Sequence, residues 1–255
     1  MTYDKLTVML LSMLSTEERN STNALVARYL LEHAGEVADL SVKELAAACH
    51  VGTGTVSRFA RDAGFGSFGE LKDAFAGFGR AFEQVEGPAP EARAAALASH
   101  VSSTLGQVVA SLDYAALDRL VSDLVRYEKV SAFGLLKAQA AALDLQVDLL
   151  MQGKHIETCT SLAEQMERIA QARSDELVIL FSYTGAYFEY RDLAEALRRL
   201  NRPRLWMVCG ERRRLPDYVS DVLFFDSSLD KLGHPYQLEF VAGLIAQEFA
   251  ARRTE

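Results

Sequence analysis

The segment 41–63, SVKELAAACHVGTGTVSRFARDA, carries side chains whose types and spacing suit contact with nucleic acid. Arginine can bond to guanine edges or to phosphates, and small hydroxyl side chains can bond to bases or to the backbone. Arg58 and Arg61 are three positions apart, so a helix would place both on one face. Gly54 would lie on the same face, where its missing side chain would allow a close approach to a groove.

Two short helices, near 42–49 and 53–63, are needed to position these side chains. The turn between them is short, so the helices must cross closely, and Ala46 supplies a small residue at the crossing. We expect His50, in the turn, to have a positive φ, which His tolerates better than β-branched residues do. This pattern predicts a helix-turn-helix. The residues expected to face its core are Leu45, Val51, Val56, Phe59, Ala60 and Ala63.

Residues around the second helix are therefore candidates for contact with DNA. His50 and Thr53 lie at the amino-terminal end of this helix, where backbone amides favour a phosphate. Lys72, in the next predicted helix, could add a backbone contact. An arginine-bearing helix face is also common as plain solvated surface, so the spacing alone leaves both interpretations open. The candidates are His50, Thr53, Gly54, Thr55, Ser57, Arg58, Arg61 and Lys72.

Charge argues against a strongly basic DNA-binding domain. The 255-residue chain has a net charge of −8, and residues 1–80 carry eight Lys/Arg against ten Asp/Glu, a net of −2. Binding to DNA would therefore depend on a local basic face and on dimerisation. The chain lacks an apolar stretch of membrane-spanning length and a secretory signal pattern, so we expect a cytoplasmic protein. Its three scattered cysteines predict neither disulfides nor a metal site, and we expect no cofactor.

A Pro- and Gly-containing segment divides the chain into three predicted parts. Residues 1–80 form an all-α helix-turn-helix domain, residues 81–93 a linker, and residues 94–255 an α/β domain. The first part contains five predicted helices, near 3–14, 16–33, 42–49, 53–63 and 67–80. The patterns Ser15-x-x-Glu18 and Ser41-x-x-Glu44 are predicted capping boxes.

The α/β part alternates short apolar runs with helical patterns, which predicts a five-stranded parallel sheet with helices on both faces. In such sheets, ligands bind at the carboxyl ends of the strands. The predicted strands are 129–133, 155–159, 176–181, 204–209 and 221–225. The predicted helices are 92–125, 136–151, 162–172, 188–200 and 236–252.

The stretch 52–72, GTGTVSRFARDAGFGSFGELK, closely resembles the conserved segment of the RpiR family of bacterial sugar-metabolism regulators, roughly S-x-A-T-V-S-R-F-x-R-x-L-G-F-x-G-F-x-E-L-K. The resemblance continues more loosely over residues 1–77 and implies a transcription regulator that binds an operator. Gly52 replaces the family's Ser cap and Gly54 its Ala, and neither departure removes a contact residue. The matching residues are Thr55, Val56, Ser57, Arg58, Phe59, Arg61, Gly64, Phe65, Phe68, Glu70, Leu71 and Lys72.

The same resemblance implies a C-terminal SIS (sugar isomerase) domain that binds a sugar phosphate. The sequence 182–185, Ser-Tyr-Thr-Gly, resembles the family's S-x-S-G loop, but 134–138, GLLKA, lacks the hydroxyls of the family's G-S-G-x-S loop. Lys137 or the run 212–214, Arg-Arg-Arg, could replace them as cationic partners. Alternatively, the ligand differs or the domain serves mainly to dimerise. The candidate ligand residues are Gly134, Lys137, Ser182, Thr184, Gly185 and Tyr187.

Three functions follow from these patterns. The first is a DNA-binding regulator of carbohydrate metabolism, a homodimer or homotetramer that responds to a sugar-phosphate-like effector. The second is the same DNA-binding head with a degenerate SIS domain that serves mainly in dimerisation. The third and most remote is a phosphosugar isomerase, for which His234, Glu239 and Glu189 are the obvious candidate bases. We expect the chain not to be an enzyme.

Overall fold

The computed structural model describes residues 5–16, 21–75, 83–189, 197, 201–228 and 230–253. The chain divides into two compact units, residues 1–82 and 83–255. Within the described ranges, no helix combines the length and the apolar character needed to cross a membrane.

The described part of the first unit contains five helices around one apolar core. They are α1 (Lys5–Thr16), α2 (Thr22–Glu32), α3 (Val42–Ala48), α4 (Thr53–Asp62) and α5 (Phe68–Phe75), with a 3₁₀ turn at Val37–Asp39. Val56, Phe59, Ala60 and Ala63, at positions i, i+3, i+4 and i+7 of α4 and its end, are buried, as the sequence pattern predicts. The fully buried side chains of this core include Leu6, Leu10, Val26, Leu30, Val37, Leu45, Val56, Phe59 and Leu71.

One predicted start in this unit is wrong. Helix α2 begins at Thr22 and not near residue 16, because Ser21 caps it by accepting a hydrogen bond from the Ala24 amide at 3.1 Å. Ser15, the predicted cap, lies inside α1, and Glu18 lies outside the described residues. The second predicted capping box, Ser41 with Glu44, is confirmed in both of its hydrogen bonds.

The second unit is built on a parallel sheet, which has four strands in the described residues. They are β1 (Lys129–Gly134), β2 (Glu176–Phe181), β3 (Arg204–Cys209) and β4 (Asp221–Phe224), in that order across the sheet. Successive residues of β2 alternate between the two faces, and Val178 to Phe181 are all at most 1% exposed. Both faces of the sheet are therefore covered, as expected for parallel strands.

Five helices accompany the sheet in the described residues. They are α6 (Pro90–Ser111), α7 (Tyr114–Arg126), α8 (Lys137–Met151), α9 (Leu162–Gln171) and α10 (His234–Arg253). A single predicted helix at 92–125 is wrong, because Leu112 is extended and Asp113 caps α7 through the Ala116 amide. The predicted helix 188–200 falls mostly outside the described residues.

The fifth predicted strand, 155–159, is also wrong. This segment makes one isolated parallel bridge, Ser131 to Glu157, beside β1. Ile156 is its single fully buried residue, and His155 and Glu157 are exposed. Only two backbone hydrogen bonds join this segment to β1 in the described residues. The Ala132 amide donates to the Glu157 carbonyl, and the Glu157 amide donates to the Val130 carbonyl. With one buried side chain, the segment gains too little from packing to extend the sheet.

Candidate functional site

The turn between α3 and α4 has the backbone geometry of a tight helix-turn-helix. His50 has a φ of 54°, which confirms the predicted positive φ. The Val51 amide donates to the Ala46 carbonyl at 2.8 Å, so the chain turns directly after α3. Ala46 is buried, which permits the close crossing, whereas Val51, predicted to face the core, is only half-buried.

The two faces of α4 differ sharply in exposure. Val56, Phe59 and Ala60 are fully buried, and Gly54, Arg58 and Arg61 on the opposite face are exposed. A Cβ added at Gly54 would meet no atom within 4 Å, so this face is open at its amino-terminal end. Neither Arg58 nor Arg61 forms an ion pair with any residue that the structure describes. Both guanidinium groups therefore keep their donors for an external acceptor.

The remaining candidate DNA contacts surround this open face. His50 and Thr53 are exposed at the amino-terminal end of α4, and Thr55 is half-buried beside it. Gly52 caps α4 without a side-chain hydrogen bond, so the first amides of α4 are not closed off by a cap side chain. The hydroxyl of Ser57 donates to the Thr53 carbonyl at 3.2 Å, which leaves its oxygen as an acceptor.

Lys72 is partly engaged inside the first unit. It is half-buried on α5, and its charge contributes to lowering the pKa of Glu44. The larger causes of that lowered pKa are the hydrogen bonds that Glu44 accepts from Ser41. Lys72 therefore lies near the start of α3 and is less available than Arg58 and Arg61. Asp62, four residues after Arg58, is an exposed acidic residue at the edge of the same face.

In the second unit, the loops after β1 and β2 lie side by side. Gly134 pairs with Phe181 at the carboxyl ends of the two strands. A Cβ at Gly134 would lie 2.3 Å from the Ala138 carbonyl oxygen, so this loop requires glycine. Leu136 has a φ of 54°, a left-handed conformation that costs energy for a branched side chain, and the exposed Lys137 follows it. Leu135 and Leu136 are half-buried, so neither is a fully buried core residue.

The loop after β2 forms a tight turn against an arginine. The Gly185 amide donates to the Ser182 carbonyl at 2.8 Å, and Gly185 has a φ of 69°. The guanidinium of Arg213 donates to the Thr184 carbonyl at 3.2 Å, and a Cβ at Gly185 would lie 2.9 Å from Arg213 Cδ. Arg213 therefore lies directly on this loop. Neighbouring Arg212 stacks on the Phe224 ring at 4.0 Å.

Tyr187, predicted as a ligand residue, is placed in the interior. It is 1% exposed, and its hydroxyl donates to Gln165 Oε1 at 2.5 Å. The amide of Gln165 in turn donates to the carbonyls of Gly134 and Cys159 at 2.9 and 2.7 Å. Tyr187 and Gln165 thus hold the carboxyl end of β1 in place through these hydrogen bonds. Burial raises the pKa of Tyr187 well above its usual value, which fits a hydroxyl with a structural role.

A polar cluster that the sequence patterns did not predict as a ligand site lies at the start of α10. His234 packs edge-on against the Tyr183 ring at a centroid distance of 4.1 Å. Its pKa is lowered to about 4, first by burial and then by the charge of Lys137, while the charge of Asp230 opposes the lowering. Tyr183 donates to the Asp230 carbonyl at 2.7 Å, and the carboxylate of Asp230 bonds to His100 Nε2 at 2.8 Å. Since His100 and Asp230 are 130 residues apart, no local pattern could have joined them.

Two further polar groups complete the description of α10. Gln237 is fully buried, and neither its amide nitrogen nor its oxygen has a hydrogen-bond partner among the described residues. Glu239, a candidate base in the isomerase hypothesis, is half-buried on α10, and burial and then the charge of Asp144 raise its pKa. The side chain of Glu189, another such candidate, lies outside the described residues.

The sequence of the first unit matches a known domain family. Residues 9–78 match the model of the helix-turn-helix domain, rpiR family. The HTH-type transcriptional regulator HexR of Pseudomonas aeruginosa is 28% identical over 188 residues, which cover 71% of this chain and 66% of HexR. The chain thus aligns with slightly less than two thirds of the length of this curated relative.

Two solved structures share the fold. The Vibrio vulnificus NanR protein complexed with ManNAc-6P has a TM-score of 0.55 and 16% identity, over 97% of this chain and 92% of its own. The Escherichia coli CFT073 protein c3406 has a TM-score of 0.52 and 15% identity, over 62% of this chain and 88% of its own. At these identities, the similarity establishes the architecture and not the ligand.

Proposed function

We propose that this chain is a sequence-specific DNA-binding regulator of carbohydrate metabolism, because residues 9–78 match the rpiR-family helix-turn-helix domain and HexR is similar to it. The observation that carries the proposal is the exposed face of α4, where Arg58 and Arg61 follow the uncovered Gly54. The opposite face of α4 is fixed in the core by Val56 and Phe59, so the arginines are held in a defined direction.

We propose different tasks for the residues of this face. Arg58 and Arg61 bond base edges in the major groove, where a bidentate arginine distinguishes guanine. Gly54 permits a close approach. His50 and the amides at the start of α4 bind a phosphate, together with Thr53. Thr55, Ser57 and Lys72 add contacts at the edges of the same surface. The first unit is acidic overall, so this interaction depends on local complementarity and on a second DNA-binding unit.

Replacement of Arg58 by alanine tests this assignment. We expect Arg58→Ala to weaken binding of the full chain to duplex DNA from upstream of its own gene by about 1–3 kcal/mol, because one direct base contact is lost. Fluorescence anisotropy at fixed salt measures the affinity. Arg173→Ala removes the same charge from an exposed site in the second unit and should leave binding unchanged. Equal affinities for the wild-type protein and Arg58→Ala would contradict the proposal.

We propose further that the second unit binds a sugar phosphate or a related anion at the carboxyl ends of β1 and β2. Neighbouring strands lie about 4.8 Å apart, so the loops after β1, β2 and β3 adjoin. In this proposal the anion is held by the hydroxyls of Ser182 and Thr184 together with Lys137 and Arg213, and the contact of Arg213 with the Thr184 carbonyl supports it. The hydroxyl of Tyr187 is hydrogen-bonded to Gln165 in the interior, so Tyr187 is not among the residues that we propose to bind the anion. The similarity in fold to NanR, a protein complexed with ManNAc-6P, supports this choice of ligand class.

A thermal-shift screen with hexose 6-phosphates and amino-sugar phosphates tests this ligand class. A ligand at about 100 times its dissociation constant stabilises the folded protein by about 3 kcal/mol, which raises the melting temperature. Inorganic phosphate at equal ionic strength is the control for a non-specific salt effect. Ser182→Ala should abolish the shift. If no sugar phosphate stabilises the protein, the second unit functions mainly in dimerisation, as the alternative hypothesis states.

The same residues do not support an isomerase, and we propose no catalytic role. An isomerase needs a base beside an anchored carbonyl carbon. His234 is 6% exposed and in contact with Tyr183, and its low pKa makes it a weak base. The relative HexR is a transcriptional regulator. We therefore propose that His234 packs against the ligand loops and has no catalytic role. We further propose that the protein is a homodimer or homotetramer that acts on DNA in the cytoplasm.

A further inference from the structure

The chain between β4 and α10 is held from two sides. We call Ser227, Ser228 and residues 230–233 the pre-α10 segment. On one side, the hydroxyl of Tyr183, in the loop after β2, donates to the Asp230 carbonyl at 2.7 Å and to the Ser227 carbonyl at 3.3 Å. Tyr183 is 3% exposed, so its hydroxyl depends on these carbonyls for its hydrogen bonds. A shift of the loop after β2 therefore moves the pre-α10 segment or breaks these bonds.

Helix α6 holds the pre-α10 segment from the other side. One carboxylate oxygen of Asp230 bonds to His100 Nε2 at 2.8 Å, and the other accepts from the Leu232 amide at 3.0 Å. A Cβ at Gly233 would lie 2.6 Å from the hydroxyl oxygen of Thr104, so the segment packs directly on α6. Asp230 thus contacts the loop after β2 through its carbonyl and α6 through its carboxylate.

The start of the second unit is fastened to the same segment. Residues 83–89, which we call the joining segment, lie between the first unit and α6 in the sequence. Glu83 Oε1 lies 3.3 Å from Lys231 Nζ, and the Gly87 carbonyl accepts from Arg93 Nη1 at 2.9 Å. A Cβ at Gly87 would lie 2.9 Å from Arg93 Cγ, so the joining segment folds back on the first turn of α6. The joining segment is therefore restrained by α6 and by the pre-α10 segment together.

The contacts of Asp230 are the strong part of this connection. The side chain of Asp230 is 11% exposed, whereas those of Lys231 and Glu83 are 32% and 47% exposed. A hydrogen bond to a shielded carboxylate is stronger than an exposed ion pair, which contributes little in water. The path from Tyr183 through Asp230 to His100 therefore carries more of the restraint than the ion pair does.

We propose that the pre-α10 segment couples the loop after β2 to α6 and the joining segment. The proposal rests on the proposed function in one respect, since the loop after β2 is where we place the anion. An anion bonded to Ser182 and Thr184 displaces Tyr183, which lies between them in the sequence, and Asp230 transmits the displacement to His100. The restraint on the joining segment, which follows the DNA-binding unit in the sequence, then changes with occupancy of the loop.

Hydrogen–deuterium exchange of the full chain tests the coupling without DNA or ligand. Tyr183→Phe removes the hydroxyl and keeps the ring. We expect the amides of residues 230–237 and of the amino-terminal half of α6 to exchange roughly fivefold faster, because a buried hydrogen bond is lost. Tyr114→Phe is the matched control, since its hydroxyl donates to the Val109 carbonyl at 2.8 Å and its loss should affect only the end of α6. Unchanged exchange in the amino-terminal half of α6 in Tyr183→Phe would overturn the proposal.

The reverse experiment perturbs the same path from α6. Because coupling between two sites is reciprocal, His100→Ala should speed exchange in the loop after β2, including the Gly185 amide, which donates to the Ser182 carbonyl. His155→Ala removes an exposed histidine elsewhere in the second unit and should leave this loop unchanged. Wild-type exchange of the loop in His100→Ala would contradict the coupling. Both experiments give an answer even if no sugar phosphate binds and Arg58→Ala leaves DNA affinity unchanged, so failure of the coupling is distinct from failure of the proposed function.

Discussion

Arginine residues in this chain fall into two groups. Several arginines of the second unit are held by carboxylates: Arg204 bonds to Asp123 and Asp221, and Arg252 pairs with Asp118. Such pairs fix the side chain in the fold. Arg58 and Arg61 have no such partner among the described residues, although Asp62 is adjacent in sequence. Their availability, more than their number, supports contact with DNA in a unit of net negative charge.

His234 gives a residue-scale prediction for the dependence of stability on pH. Its pKa is about 4 in the folded chain, against about 6.5 when unfolded. Above a pH of about 6.5 the imidazole is neutral in both states. As the pH falls from about 6.5 towards 4, His234 becomes protonated in the unfolded chain but stays neutral in the folded chain. The free energy of unfolding therefore falls by roughly 1 kcal/mol per pH unit.

Replacement of His234 by glutamine should remove this loss. Urea unfolding between about pH 4.5 and pH 7 measures it, and Trp206, the single tryptophan, reports the second unit from a fully buried site in β3. We expect a shallower pH slope for His234→Gln than for the wild-type protein. His155→Gln, at an exposed position, should keep the wild-type slope. An unchanged slope for His234→Gln would show that His234 does not carry this pH dependence.

At the scale of elements, the sequence predicts best where one local pattern determines the outcome. Helices α3 and α4 agree with their predicted ranges to within a residue, because the capping box at Ser41 and the apolar spacing from Val56 to Ala63 are both local. The strand predicted at 155–159 does not form, because a strand at the edge of the sheet depends on side-chain packing that the local sequence does not specify. That packing covers only Ile156.

The break between α6 and α7 shows the same limit. Residues 92–125 carry a continuous helical pattern, and the chain leaves it at Leu112 because Asp113 caps a new helix. The amide of Asp113 also donates to the Phe224 carbonyl at 3.1 Å, a bond to the end of β4. The position of β4 is a property of the assembled sheet, so the break could not be derived from the local sequence.

At the scale of the whole molecule, the exposed face that we propose to bind DNA follows from the sequence, and the loops that we propose to bind an anion follow from it only in part. The face lies within one short segment, whereas the proposed ligand site combines loops at positions 134–137, 182–185 and 213 with the start of α10. Arg213 was one of three equivalent arginines in the sequence, and its contact with Thr184 and Gly185 distinguishes it. Tyr187 follows the loop at 182–185 closely in sequence, but its hydroxyl is hydrogen-bonded to Gln165 in the interior.

Sequence-specific contact with DNA through α4 is the central claim about this chain. Selection of bound duplexes from a random pool by the full chain tests it most directly. We predict enrichment of one motif, an inverted repeat if two copies bind together, with an affinity that falls as salt rises. The same selection with Arg58→Ala should lose preference at specific bases of that motif. Recovery of no enriched motif by the wild-type protein would contradict the claim.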